Sequence, residues 1–191
     1  MTMFSPPGPE IIIAPLEDVP PVVARHGDAW VCGLLSPGMA DSHPLLPLDE
    51  ERRLKLDLHD VSAPRPGCQA ATEEHMERLI RFVRRWRQAA RRGEAGPLVM
   101  HCWFAISRSP AAAFIAHCAL REGEDEHALA QELRLLSPVV TPNARLVALA
   151  DDMLGRGGRM RRAIAAIGRG APASTGALVR WPLRCSLERR E

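Results

Sequence analysis

The chain has 191 residues, of which 46% are hydrophobic and 25% charged, and a formal net charge of +2. That length suits one domain, and that apolar content supplies a packed core and excludes global disorder. The small net charge argues against nucleic acid or a membrane surface as partner, and aromatics at 4% with no Tyr leave few platforms for stacked bases.

Residues 1–9 are Pro-rich and expected to be loose. Glu10–Ala14 (EIIIA) is a β-branched run that predicts a strand, and Ala29–Leu35 (AWVCGLL) predicts a second, ended by Ser36-Pro37-Gly38. A polar, Pro-rich stretch follows over Asp41–Glu51. Arg52–Val61 alternates, with Leu54, Leu56 and Leu58 on one side and Lys55, Asp57 and His59 on the other, which predicts a half-buried strand. Thr72–Arg92 predicts a helix, because Met76, Leu79, Ile80, Val83 and Trp86 recur at spacings of three and four; Thr72 is its expected N-cap. Leu98–His101 is an apolar run of buried-strand type.

After the segment 102–109 comes an Ala-rich helix, Pro110–Leu120, with Pro110 in the first turn where its missing N–H costs nothing. Helices are also predicted over Glu126–Leu136, Asn143–Leu154 (with Thr141-Pro142 as cap and first residue) and Gly158–Ile167. Residues 169–191 lose periodicity and are expected to be a tail. Strands separated by helices argue for an α/β fold in three layers, α/β/α, with a central, mainly parallel sheet of four to five strands, over residues 10–168.

The chemistry concentrates in Leu98-Val99-Met100-His101-Cys102-Trp103-Phe104-Ala105-Ile106-Ser107-Arg108-Ser109. A buried strand runs into a tight loop, and the loop into a helix. Five residues between Cys102 and Arg108 suffice to curl the backbone so that its N–H groups point inward. The helix start adds aligned N–H groups and the positive end of a dipole. Such a concavity binds a phosphate dianion and favours an ionised sulfur. Arg108 returns to the loop one turn later and can grip two phosphate oxygens. A bare Cys-x5-Arg carries little weight in a chain with five Cys and 25 Lys plus Arg, all but one of them Arg. The frame decides: His101 directly before the Cys, Ser109 directly after the Arg, an apolar strand upstream and a helix downstream.

His-Cys-x5-Arg-Ser resembles the signature of the protein tyrosine and dual-specificity phosphatase superfamily. Ser137-Pro138-Val139-Val140-Thr141-Pro142-Asn143, leading into Leu146, is similar to the segment that opens the last core helix of dual-specificity phosphatases, and the layout from about 10 to 168 is similar to small bacterial members. The resemblance implies a tyrosine-phosphatase-like fold and a protein tyrosine or dual-specificity phosphatase working without a metal or other cofactor. It implies that Cys102 forms a phosphocysteine intermediate, that Arg108 binds the phosphoryl group, that His101 tunes the thiol and that Ser109 assists breakdown of the intermediate. It also implies an Asp upstream that protonates the leaving oxygen. Asp60, at a strand end before a Pro/Gly loop, is the first choice; Asp57 and His59 are the rivals.

The sequence departs from the family at Phe104-Ala105, where Ala-Gly is usual. Ala resists backbone torsions that Gly allows. The expected consequence is a strained or narrowed loop, so a phosphate-binding pseudophosphatase stands as the alternative reading. A sulfur-transfer enzyme, which needs no upstream acid, is a third. Trp103, Phe104, Ala105, Ile106 and Ser107 line the expected substrate site and carry no charge. A lone phosphoryl group on a tyrosine of a protein, or on a small aryl compound, is therefore the expected substrate.

Among the other candidates, cysteines at 32, 68, 102, 118 and 185 are odd in number and include no Cys-x-x-Cys, so neither a disulfide framework nor a zinc site is expected. Buried free thiols fit a reducing cytoplasm, which is the expected location. The start MTMFSPPGPE has neither the basic nor the apolar region of a secretory signal, and no apolar run reaches the roughly 18 residues that span a bilayer. Trp30, Trp86 and Trp181 are expected to pack in the core. Arg84, Arg85, Arg87, Arg91 and Arg92 are expected on a solvated helix face. Asn143 is expected to start its helix and to bond to the site loop.

Overall fold

A computed structural model describes residues 9–38 and 48–183. The chain runs β1 (Glu10–Pro15), α1 (Val19–Arg25), β2 (Trp30–Leu35), β3 (Arg53–Asp57), α2 (Glu73–Arg91), β4 (Leu98–Cys102), α3 (Arg108–Leu120), α4 (Glu126–Leu136), α5 (Ala144–Met153), α6 (Arg159–Ile167) and β5 (Val179–Pro182). Five strands form one sheet in the order β3-β2-β4-β1-β5. The first four are mutually parallel, and β5 joins β1 antiparallel, with Ile11 opposite Trp181 and Ile13 opposite Val179. The expected mixed α/β fold, with helices on both faces of a mainly parallel sheet, is the fold observed.

Alternation along the strands assigns each side chain to one of two cores. Ile11, Ile13, Cys32, Leu34, Leu98 and Met100 point to the face covered by α2, α3 and α5, with Trp86, Phe114 and Leu146 in the same cluster. Ile12, Ala14, Val31 and Val99 point to the opposite face, where Val19, Val22 and Val23 of α1 cover them. β2 and β4 are buried at every position, and β1 at every position but Glu10, which is why these strands read as unbroken apolar runs. Helix α3 runs through the centre and is buried along almost its whole length.

Several local expectations are met in detail. Thr72 caps α2, its hydroxyl accepting from the His75 N–H while the His75 ring reaches back to the Thr72 N–H. Trp30, Trp86 and Trp181 are all buried. Others are corrected. Strand β3 ends at Asp57 rather than Val61, because Gln69 takes over the pairing: its side chain donates to the Asp57 carbonyl and its backbone bonds both ways with His59. Helix α5 is capped by Asn143, not Thr141; the Asn143 side chain accepts from the N–H groups of Arg145 and Leu146 at 3.1 Å each. Helix α1 holds Pro20 and Pro21 in its first turn, where no N–H is required, and this Pro pair hides the helix from a pattern search.

The segment read as a tail supplies β5 and, with it, the fifth strand. Its alternation, buried Val179 and Trp181 against exposed Arg180 and Pro182, is only four residues long and too short to register as a pattern. The loose start, part of the Pro-rich stretch after β2 and Cys185 lie outside the described residues. Among the described residues no helix is long and apolar enough to cross a membrane.

β5 is fastened through Trp181, which stacks on His117 of α3 with ring centroids 3.8 Å apart. His117 is fully buried, and that burial, reinforced by the Arg121 guanidinium, holds its ring neutral well below the usual histidine range. The unfolded chain takes up a proton at this residue below about pH 6.5 that the folded chain refuses. The stability His117 supports is therefore complete above that pH and falls below it, by up to about 1.4 kcal/mol per pH unit. Urea unfolding at pH 7 and 5 checks this: His117→Phe, which keeps an aromatic ring against Trp181, is expected to lose stability less steeply than the native chain.

Candidate functional site

The carboxyl ends of the four parallel strands converge on one crevice. Cys102 is the last residue of β4 and is 3% exposed. Leu16 follows β1, Ser36 follows β2, and Leu58 to Asp60 follow β3. In open α/β sheets this edge is where ligands bind, because the loops here are free to carry polar groups.

The loop from Trp103 to Ser107 is held by its carbonyls. The Trp103 carbonyl accepts from the Leu16 N–H at 3.3 Å, Phe104 from the Gly176 N–H at 2.7 Å, Ile106 from the Thr141 N–H at 2.8 Å and Ser107 from the Asn143 N–H at 3.2 Å. A trans peptide points its N–H opposite to its carbonyl. With four carbonyls drawn outward to donors in three separate segments, the amides of Phe104, Ala105, Ser107 and Arg108 are turned to the other side, into the curl. Three of these four anchors, Leu16, Thr141 and Gly176, have no sequence signal of their own. Thr141 also explains the late start of α5: its N–H serves the loop and its hydroxyl accepts from Gly170, so the capping falls to Asn143.

Ala105 has φ +52°, the one left-handed non-glycine among the described residues. The strain expected from replacing the usual Gly is therefore present, at roughly 1–2 kcal/mol. Its methyl is buried at 1% exposure and joins the main core.

Around the loop the charged groups are few. Arg108 is 5% exposed, and one terminal nitrogen of its guanidinium donates to the Leu58 carbonyl at 2.9 Å and approaches the Ser36 hydroxyl at 3.5 Å. Its Nε is buried and has no hydrogen-bond partner among the described residues; the nearest carboxylate oxygen, Asp60 Oδ2, is 3.8 Å away. A buried guanidinium N–H that makes no hydrogen bond keeps a donor available. Cys102 Sγ lies 3.1 Å from the Ser109 hydroxyl, which is also sealed from solvent. His101, the residue before Cys102 in β4, is buried at 1% exposure.

The structure brings Asp60 to this site. Its Oδ1 accepts from the Ser107 hydroxyl and from the Asn143 side-chain amide, both at 2.7 Å, which leaves Oδ2 facing Arg108. The rivals have other contacts: Asp57 pairs with Lys55 at 3.6 Å, and the His59 ring accepts from the Gln69 N–H. Asn143 does more than its place as a helix cap announced. It ties α5, the loop and the Asp60 carboxylate together; its place at the helix start and its bond to the loop were expected from sequence, and the bond to Asp60 was not. Of the loop side chains, Ser107 is committed to Asp60, Trp103 and Ile106 are half-buried and Phe104 is 57% exposed.

The remaining described thiols contrast with Cys102. Cys32 and Cys118 are buried in the core, and burial pushes both far above the ordinary thiol range, so they stay protonated; Arg78 opposes this weakly at Cys32, and Glu126 adds to it at Cys118. Cys68 is half-buried.

No protein-family model matches the chain, and no curated protein does. The fold is shared with solved structures. Human tyrosine phosphatase-like serine/threonine/tyrosine-interacting protein matches with a TM-score of 0.54 at 20% identity, over 76% of this chain and 91% of that one. Human DUSP28 matches with a TM-score of 0.52 at 18% identity, over 81% and 92%. The PTP-2 phosphatase of Cydia pomonella matches with a TM-score of 0.54 at 17% identity, over 87% and 88%. The chain thus has the fold of tyrosine and dual-specificity phosphatases along most of its length.

Two outcomes are expected from this geometry. Asn143→Ala removes the α5 cap and one of the two donors to Asp60, and is expected to cost about 1–2 kcal/mol in urea unfolding; a cost of a few tenths would mean the cap is dispensable. Iodoacetamide applied to the folded protein at neutral pH is expected to modify Cys102 and to leave Cys32 and Cys118 untouched, with inorganic phosphate slowing the reaction. Peptide mass mapping reads out both points.

Proposed function

We propose that this protein is a cysteine-dependent phosphatase that hydrolyses phosphomonoesters, with phosphotyrosine in a protein or a small aryl phosphate as substrate. The single observation that carries this reading is the buried Arg108 with its unpartnered Nε, set over a loop whose amides turn toward the same hollow as Cys102. A phosphoryl group satisfies both at once: its equatorial oxygens take the amides and the guanidinium, and its phosphorus comes in line with the sulfur.

In the first step Cys102 Sγ, supported by the Ser109 hydroxyl at 3.1 Å, attacks phosphorus. An S–P bond forms, the bond from phosphorus to the leaving oxygen breaks, and Asp60 gives that oxygen its proton. Oδ2 is the fitting donor atom, since Oδ1 already accepts two hydrogen bonds. In the second step a water attacks the phosphocysteine, Asp60 takes a proton from it, the S–P bond breaks and inorganic phosphate leaves. Ser109 then stabilises the departing sulfur. His101, packed below, steadies the strand end that presents the sulfur.

The preference for a single phosphoryl group on an apolar carrier rests on the surroundings. Arg108 is the one cation in the loop, so a second phosphate finds no partner there. The side chains of Trp103, Phe104 and Ile106 in the same loop are apolar and suit an aromatic carrier.

A second reading has its own observation, the left-handed Ala105. A strained loop that binds phosphate without turnover would make the chain a phosphate-binding pseudophosphatase. The fold is shared by phosphatases and by a phosphatase-like protein, so the site must decide.

Hydrolysis of p-nitrophenyl phosphate between about pH 5 and 7 tests both readings. The native chain is expected to be active and inhibited by vanadate, Cys102→Ser to fall to background, and Asp60→Asn to lose roughly 10²–10⁴-fold in kcat with little change in KM. Activity that survives Cys102→Ser rejects the mechanism. Phosphate binding without hydrolysis, with activity gained in Ala105→Gly, selects the pseudophosphatase.

A further inference from the structure

Between α6 and β5 the chain crosses the outer side of the catalytic loop as a strap. Its near end is fixed where Gly170 donates to the Thr141 hydroxyl at 3.0 Å and Ala171 to the Pro138 carbonyl at 2.9 Å. Its far end runs into β5, held by Trp181 against α3. In the middle lies Gly176, buried, whose N–H meets the Phe104 carbonyl at 2.7 Å. A Cβ on Gly176 would stand 2.9 Å from the Ala105 carbonyl oxygen and 3.3 Å from both the Ala105 carbonyl carbon and the Phe104 oxygen. These are backbone atoms of the loop and cannot swing aside. The strap's hydrogen bond therefore falls on the peptide between Phe104 and Ala105, and its close approach to the Ala105 carbonyl next to it requires glycine.

That peptide is also where the loop is strained, because Ala105 takes a left-handed φ of +52° that a side chain disfavours. A loop with alanine here, left to itself, would relax toward a right-handed or extended backbone, and the amides of the curl would turn away from the anion. The Gly176 hydrogen bond fixes the Phe104 carbonyl outward and so fixes the Ala105 N–H inward. From this coincidence of tether and strain we infer that Gly176 is a positioning residue for the phosphate loop, holding Ala105 in the left-handed conformation that the anion cradle needs. The inference rests on the loop being the phosphate cradle proposed above. It assigns to the segment 170–178 a role in ligand binding that the segment's sequence, poor in charged and nucleophilic groups, does not suggest.

The experiment compares the native chain with Gly176→Ala, Ala105→Gly and the double variant, by amide hydrogen exchange of peptides covering 103–108 and by calorimetric titration with inorganic phosphate. Gly176→Ala is expected to speed exchange in the loop and to weaken phosphate binding, each by about tenfold, while exchange in α2 stays unchanged. Adding Ala105→Gly is expected to bring both quantities back to within about twofold of the native chain, since glycine occupies the left-handed region without the tether. A merely structural Gly176 would loosen the protein throughout and would gain nothing from the change at 105. Unchanged loop exchange in Gly176→Ala, or a change that Ala105→Gly does not repair, overturns the inference. If Gly176→Ala alone does not fold, the double variant decides: a folded chain with native loop exchange supports the tether, and an unfolded one overturns it. If the native chain binds no phosphate, the function proposed above fails, and loop exchange still decides the role of Gly176.

Discussion

The site depends on where the carbonyls of one short loop are sent. Backbone amides cannot be aimed singly; each is coupled to a carbonyl across a rigid peptide plane. A cradle of inward N–H groups therefore requires an outer ring of donors for the carbonyls. Here the ring's four donors come from three regions far apart in sequence: Leu16 after β1, Thr141 and Asn143 ahead of α5, and Gly176 ahead of β5. The sheet order places the ends of β1, β2 and β3 around the end of β4, and the helices α5 and α6 return the later segments to the same edge. Much of the architecture can be understood as the means of bringing these donors to Cys102–Arg108.

The same economy governs the carboxylate proposed as the acid. Asp60 has no regular element under it, yet three groups fix it: the Ser107 hydroxyl, the Asn143 amide and, more loosely, the Arg108 guanidinium. Two of these belong to the loop and the start of α3, the third to the cap of α5. Loop, helix cap and carboxylate form one connected unit, so a disturbance at any member reaches the others. Arg108 is bonded to the Leu58 carbonyl two residues before Asp60, which couples the cation to the acid's own backbone.

What could be read from the sequence follows from the range of the interactions concerned. Cys102, Arg108 and Ser109 share one strand, loop and helix, so their spacing in sequence is their arrangement in space. The apolar runs of β1, β2 and β4 and the periodicity of α2 are likewise local and gave the α/β layout. The place of Asp60 beside the loop was foreshadowed by its position at a strand end before a Pro/Gly loop, while Asp57 and His59 make their contacts with Lys55 and Gln69. The residues that escaped are those whose roles use backbone atoms. Leu16 and Gly176 act through an N–H that every residue but Pro possesses, and no pattern of side chains marks it. β5 escaped for a related reason: two buried residues in four do not make a periodicity, and the strand is defined by pairing with a segment 170 residues away. Ala105 is the reverse case, visible as a departure from a resemblance and then explained by its torsion.

The pairing of β5 with β1 joins the first strand of the fold to the last. During synthesis Cys102, Asp60 and α3 through α6 leave the ribosome before Gly176 and Trp181 emerge. Closing so large a loop carries the greatest entropic penalty of any contact in the sheet, and domains generally assemble as their segments become available. The outer edge of β1 stays unpaired until then, and the loop 103–107 lacks one of its four backbone anchors for the same interval. One late segment thus completes the sheet edge and the loop together.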